Sequence, residues 1–423
     1  MFRTDPCEVR SQIEDDVIAA DIGQIDLVSV CSVLISYFLC FRSRIESALM
    51  NRAPATYGKP CEFTKALKKA VDEYFEKTNR ARVGGWVIWT EAAVALILYL
   101  TPLMLLYIGV VSSIWWALGL GLVMGIGFLM VGADVMHAAN HGTLSKYPRV
   151  NRVFSYSMEL LGMSSRNWKV QHNDLHHMHT NVVGQGGDSD LTAGEPWVRY
   201  AIFSNLKSKM IRYQHIYVWV VYSFAFILWI FNKDFQAIGE YHKEGFYRRR
   251  PGSKPSKARI VWEMIGFKLA YVLIFLGLPI LFGSNPLYVI VMWLTATMFA
   301  GAVMMPIFQM AHAVPEVQQF ETGQKMDVSW MVHQIRTSAD VRLSNPFLNK
   351  IFTHLVGGLN YQKVHHAFRD ISHVHYPDLS KIVDQYVEKY KIESVTFYSL
   401  RDALSAHGRL MRELGRLPEL NFN

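Results

Sequence analysis

The stretch Gln171-His172-Asn173-Asp174-Leu175-His176-His177-Met178-His179-Thr180 decides how the rest of the chain is read. On a helix, His172 and His176 stand one turn apart on the same face, with His177 about a quarter-turn round. Neutral imidazole is the commonest nitrogen donor for iron, zinc and copper. Three that converge can hold one metal or divide between two neighbouring ones. Related clusters occur at His137-Ala138-Ala139-Asn140-His141 and at Gln362-Lys363-Val364-His365-His366. Each lies just past, or well away from, a long apolar run.

Those runs set the class. Of 423 residues, 51% are hydrophobic, 13% aromatic and only 18% charged, whereas soluble domains carry about a quarter charged residues. The composition is that of an all-α, polytopic membrane protein. The net charge is +8, and the positive residues gather in loops between apolar runs. That is the pattern of the positive-inside rule rather than of a nucleic-acid surface. The four cysteines, Cys7, Cys31, Cys40 and Cys61, all precede the histidine clusters. Neither a disulfide framework nor a thiolate metal site is supported, and a reduced cytoplasmic face suits them.

Four runs are long enough to cross a bilayer: residues 86–110, 114–133, 264–282 and 287–310. Short turns at Val111-Ser112-Ser113 and Gly283-Ser284-Asn285-Pro286 pair them into two hairpins. A hairpin returns the chain to the side it left, so His137, His141 and His312 emerge on one side. Residues 216–231 are apolar but short, and a strongly basic loop, 243–259, with Arg248, Arg249 and Arg250, follows them. A crossing there would put that loop outside and separate the third cluster from the first two. The segment is therefore read as re-entrant or interfacial.

The remaining segments are cytoplasmic in character. Residues 62–77 place Phe63, Leu67, Ala70, Val71 and Tyr74 on one helical side and lysines on the other, an amphipathic helix expected to lie along the membrane surface. The last hundred or so residues form a polar, histidine-rich cap. Residues 1–49 are an N-terminal extension of uncertain status: an acidic start, an apolar stretch over 27–41, then Arg42 and Arg44. It reads as an extra anchor, a surface helix, or sequence ahead of a start at Met50. Residues 50–423 read as one coherent protein.

This topology gathers nine candidate ligands on one face: His137, His141, His172, His176, His177, His312, Gln362, His365 and His366. Eight imidazoles exceed the four ligands of a closed zinc site. Two octahedral irons can use them and still leave room for oxygen. The expectation is a dinuclear iron site, free of thiolate, at the membrane surface. His179, His333, His373 and His375 are read as hydrogen-bonding partners around it, and Asn173, Asp174, Asp188 and Asp190 as groups able to orient imidazoles. His215, His242, His354 and His407 are given no role. A metal transporter would hold its ligands near the midplane, and residues 86–110, 114–133 and 264–310 contain no histidine.

The three clusters resemble the histidine boxes of the membrane fatty-acid desaturases, within them the front-end, acyl-CoA or acyl-lipid (linoleoyl-CoA desaturase-like) group. The resemblance rests on the runs Val135 to Ser145, Trp168 to Asn181 and Gly357 to His366, with Gln362 as the front-end mark of the third box. It extends from roughly Phe63 to Leu414. It implies four transmembrane helices under a cytoplasmic cap and a diiron centre on His137, His141, His172, His176, His177, His312, His365 and His366. Gln362 is added to these as a further ligand. Two positions depart from the family: Ala138 stands where aspartate is usual, with Asp134 one turn earlier as a replacement, and Arg369 follows Phe368 where proline is common.

The implied reaction is oxygen-dependent formation of a C=C bond in an acyl-CoA or acyl-lipid chain. Side-chain acid–base chemistry cannot remove unactivated methylene hydrogens, so the cofactor carries the hard step. The protein supplies an apolar slot and fixes the head group at its basic surface, for which Lys169, Lys207, Lys209 and Arg248 to Arg250 are available. A fatty acyl hydroxylase on the same scaffold is the nearest rival. No His-Pro-Gly-Gly haem-binding motif occurs, so electrons are expected from a separate ferredoxin or cytochrome b-type protein with its reductase.

Overall fold

The computed structural model describes residues 55–417, apart from 185, 192–194, 196, 205, 207, 208 and 248–254. The N-terminal extension, Cys7, Cys31, Cys40, Lys207 and Arg248 to Arg250 lie outside the described residues. The chain is mostly helical. Its strands pair as short parallel ladders, Thr56–Gly58 with Lys325–Ser329, Val182–Val183 with Phe320–Glu321, and Ala339–Val341 with Val395–Phe397.

Helix α1 (Glu62–Thr78) is amphipathic as expected, with Phe63, Leu67, Val71 and Phe75 buried. Its cover is protein rather than lipid. The four side chains join one core with Val364, Ile371, Leu379 and Val383 of the C-terminal region. Burial of that kind is worth about 1.5–3 kcal/mol per large apolar side chain. The expected placement of residues 62–77 along the membrane surface is corrected accordingly.

Four helices among the described residues are long and apolar enough to span a bilayer: α2 (Gly85–Tyr107), α3 (Ile114–His141), a third at Lys257–Leu281 and a fourth at Pro286–His312. Ser113 caps α3 by accepting from the amide of Trp116 at 3.3 Å. Asn285 caps the fourth, with Pro286 in its first turn. Small residues let these helices approach. A Cβ on Gly127 of α3 would stand 2.3 Å from the Tyr99 amide nitrogen of α2. The helices also run further than the apolar runs, so His137, His141 and His312 ride on the last turns of spans rather than in loops beyond them.

Between α3 and the third span comes α4 (Ser165–Lys169), which continues through the turn Val170–His176. Next are α5 (Lys209–Ser223) and α6 (Ala225–Glu244), bent by 66° and long and apolar enough to cross only when taken together. The bend falls within the segment 216–231 that the charge pattern sets apart. Lys268, on α7 (Lys257–Leu281), pins the bent pair by donating to Asp234 Oδ2 at 2.8 Å, Ile230 O at 2.6 Å and Gly162 O at 3.0 Å. Helix α8 (Pro286–His312) packs on α5, where a Cβ on Gly301 would stand 2.4 Å from Tyr222 O. The C-terminal region adds α9 (Pro346–Leu355), α10 (Gln362–Ala367), α11 (Tyr376–Lys389) and α12 (Leu400–Leu414).

Candidate metal centre

Two of the three histidine clusters are carried on π-helical turns. Helix α3 widens over Val131–His137 before its last α turn, Ala138–His141, and α4 widens over Val170–His176. In a π turn the amide bonds to the carbonyl five residues back, and His177 N donates to His172 O at 2.9 Å. His177 is thereby brought onto the face of His172, with their Nε2 atoms 3.1 Å apart. The expected pair, His172 and His176, also stands together, its rings stacked at 5.4 Å and its nitrogens close enough to share an ion with Asp190, while His176 reaches His312 and His366 as well.

The eight imidazoles form two adjoining lobes. His137, His141, His172 and His365 bring ring nitrogens within 4.8 Å of one another, as do His176, His312 and His366. His177 lies between them, grouped with His365 and His366. All are buried except the half-buried His141.

Hydrogen bonding does not account for this convergence. His172 Nε2 meets the Nε2 atoms of His137, His141 and His177, each at 3.1 Å, and one ring nitrogen can join only one N–H···N pair. The Nε2 atoms of His312, His365 and His366 are buried with no partner. Their opposite nitrogens are anchored: His312 Nδ1 to Thr337 O at 3.0 Å, His365 Nδ1 to the Tyr376 hydroxyl at 3.2 Å, and His366 Nδ1 to Gln334 Oε1 at 2.8 Å. His176 Nδ1 donates to Asp188 Oδ2 at 2.9 Å. One nitrogen tied back and the other bare is what a metal-ligating histidine requires, so the donor set fits a pair of metal ions.

The electrostatics of four of the imidazoles agree. Burial, reinforced by the neighbouring imidazoles, pushes His172, His177, His365 and His366 well below the usual histidine range. They are neutral and keep their lone pairs at neutral pH. For His176 burial acts the same way, but the Asp188 carboxylate outweighs it and draws the imidazole upward. Asp188, which burial alone would raise, is held below the carboxylate range by His176.

Around the lobes the expected partners divide. Asp188 orients His176, and Asp190 lies 3.6 Å from the same Nδ1. Asn173 donates instead to Asn140 O, and Asp174 is exposed. Gln362 donates to Leu359 O at 2.8 Å, while its Oε1 is buried without a partner and its side chain lies against His312. His333 bonds Thr180 O at 2.8 Å and His375 bonds Ala81 O at 2.8 Å, so both secure backbone. Asp134 does not stand in for the aspartate missing at Ala138. It faces Glu91, His373 and the loop at Gly357. Sequence reasoning gave His354 and His407 no role, yet His354 is paired with Glu91, and His407 bridges the Tyr222 hydroxyl at 2.6 Å and Ala313 O at 2.7 Å. Neither partnership leaves a local signal, since each spans long stretches of chain.

A cleft ends on the histidines. His137, His172, His176 and His312 line one part, and Phe128, Met158, Phe226, Trp229, Met304 and Phe308 line another. Phe128 precedes His137 by nine residues on the same helix, roughly 13 Å at 1.5 Å per residue. A slender apolar chain can therefore run from a greasy interior to the imidazole cluster.

The family model for fatty acid desaturase matches residues 113–398. The sn-1 linoleoyl-lipid 6-desaturase of Arthrospira platensis is 29% identical over 374 residues, covering 86% of this chain and 95% of that protein. The acyl-lipid (8-3)-desaturase of Physcomitrium patens is 30% identical over 311 residues, 72% of this chain and 62% of its own. The Delta(5) fatty acid desaturase A of Dictyostelium discoideum is 27% identical over 367 residues, 85% and 76% respectively. The matched segment takes in all three histidine clusters and three of the four spans, and on that ground the chain belongs to the fatty acid desaturase family, as an integral membrane enzyme.

Proposed function

We propose that this protein is an oxygen-dependent acyl-lipid desaturase of the front-end type, and that His137, His141, His172, His176, His177, His312, His365 and His366 hold two irons. The observation that carries this reading is the set of buried Nε2 atoms that converge while their Nδ1 atoms are tied back. Gln362, whose bare oxygen lies beside His312, is the ninth donor. Iron bound there supplies the oxidising power, drawn from oxygen and two electrons, that unactivated methylenes demand. The protein's own residues do the rest. The cleft excludes water from the acyl chain, Phe128 and Phe226 limit its depth, and Asp188, Tyr376 and Gln334 hold the imidazoles in the tautomer that leaves Nε2 free.

The 50–423 region acts as the desaturase domain, its four spans forming two hairpins with the C-terminal cap and site on the cytoplasmic side. The basic segments between spans support that orientation through the positive-inside rule. Electrons come from a separate ferredoxin or cytochrome b-type protein. The relatives named for acyl-lipid substrates support a lipid-linked chain over a CoA thioester.

The test is expression of the parent and of His365→Ala in a host supplied with defined fatty acids and a matched donor, with products mapped by gas chromatography and mass spectrometry and iron counted on purified protein. New double bonds and two irons per chain in the parent, both lost in the variant, are expected. Hydroxy acids in place of alkenes would transfer the assignment to a hydroxylase.

A further inference from the structure

One line of buried titratable side chains plays no part in the centre described above. Glu91, on α2 and 7% exposed, divides its two oxygens between two imidazoles from distant parts of the chain. Oε1 pairs with Nδ1 of His354 on α9, and Oε2 accepts from Nε2 of His373 at 3.0 Å. The same Nε2 lies 4.0 Å from Oδ1 of Asp134. Asp134 has no exposed surface, and neither of its oxygens has a hydrogen-bond partner. At the other end, 39% of the His354 side chain is exposed.

The four groups thus run from outside to inside as imidazole, carboxylate, imidazole, carboxylate. The last sits on the π turn Val131–His137 that delivers the first histidine of the centre. The packing around the inner end is close. Gly357 and Gly358 adopt positive φ of 58° and 72°, and Cβ atoms there would meet Asp134 Oδ1 at 2.9 Å and His373 Cβ at 2.5 Å. Two carboxylates this near one imidazole in a dry interior do not both stay ionised without a cation or proton between them. A tether between α2 and the cap would need only one of them.

We infer that Glu91, His373 and Asp134 form a proton relay leading from His354 toward the histidine centre. Desaturation requires one. In –CH2–CH2– + O2 + 2 e⁻ + 2 H⁺ → –CH=CH– + 2 H2O, two C–H bonds and the O–O bond break and one carbon–carbon π bond forms. The electrons come from an external one-electron carrier. Two of the four hydrogens in the water leave the substrate, and the other two are protons that enter from solvent. Each relay member hands one proton inward and regains one from its outer neighbour: His373 gives its Nε2 proton to Asp134, and Glu91 then restores it. Glu91 is in turn reloaded by His354, which exchanges with solvent.

The inference rests on the iron reading of the centre, and iron content separates the two. Purified, reconstituted parent, Glu91→Gln, Asp134→Asn and His354→Ala are assayed for iron per chain, product formed per oxygen consumed, and the solvent deuterium isotope effect on turnover. Glu91→Gln and Asp134→Asn are expected to keep the parent's iron and lose about a hundredfold in product formation, the size of a lost proton-transfer group, with a larger isotope effect. His354→Ala, altered at the exposed end, is expected to regain turnover when imidazole is added, which a tether would not do. Full turnover in Glu91→Gln with iron retained would overturn the relay. So would loss of a further metal equivalent in that variant, which would make the cluster a cation site. Absence of iron from the parent itself would instead defeat the metal reading.

Discussion

Asp188→Asn tests the centre without touching a proposed ligand. The Asp188 carboxylate accepts three hydrogen bonds: from His176 Nδ1 at 2.9 Å and Asn181 N at 3.0 Å on Oδ2, and from Asp190 N at 3.0 Å on Oδ1. Asparagine keeps the shape but has one acceptor oxygen. If that oxygen serves His176, the new NH2 faces the Asp190 amide, donor against donor. If it turns the other way, His176 loses its anchor. Either arrangement replaces a charge-assisted bond worth about 1.5–3 kcal/mol with a weaker one or none. Loss of an outer partner of this type typically lowers metal affinity by about 10–100-fold, or roughly 1.4–2.8 kcal/mol. The assay is chelator competition on purified protein, following iron retained per chain. The chelator concentration that strips half the iron from the His176, His312 and His366 lobe is expected to fall by that factor, while the other lobe keeps its iron. An unchanged midpoint would refute the assignment of His176 as a ligand held by Asp188.

Phe226→Ala deepens the cleft beside Phe128, whose ring centroid is 4.8 Å from that of Phe226. Each further buried methylene is worth about 0.8 kcal/mol, roughly fourfold in selectivity, so competition assays between acyl chains should shift toward longer ones. Gly127→Ala drives a Cβ to 2.3 Å from the Tyr99 amide, a backbone atom that cannot swing aside. Thermal unfolding in detergent should show a lower Tm, reflecting about 1–3 kcal/mol or more of overpacking, with the same iron content in whatever protein folds. Burial pushes His407 from the ordinary 6.5 down to about 4. A base depressed in the folded state binds its proton more readily once unfolded. Its contribution to stability is therefore complete above pH 6.5 and is lost as pH falls toward 4, by about 1.4 kcal/mol per pH unit. His407→Gln should flatten that part of the Tm profile, measured with chelator present so that metal loss does not contribute.

Much of this was legible in the sequence because the bilayer imposes a long, uniform signal. Apolar runs gave the four spans to within three residues, except that the second ends eight residues later and the third begins seven earlier, and imidazole clusters marked the proposed centre, since few other roles tolerate so many histidines so close together. What the sequence concealed has physical causes. Amphipathicity in α1 says that one face is covered but not by what, and the cover is Leu379 and Val383 rather than lipid. The Glu91 pairings reach His354 and His373 across most of the chain, so no spacing reveals them. Asp134 stood a plausible turn from His137, yet it lies against Gly357 and within 4.0 Å of His373 Nε2.

A π turn is an α-helix that has absorbed one residue too many, and two such surpluses fall among the proposed ligands here. Removing a single residue between His172 and His177 would restore ordinary winding and leave those two four apart, a spacing that an α-helix also keeps on one face. The extra residue therefore leaves that pair together and redirects what lies between them, His176 included, which stands with His312 and His366. The interval between histidines is as much a part of the proposed centre as the histidines themselves.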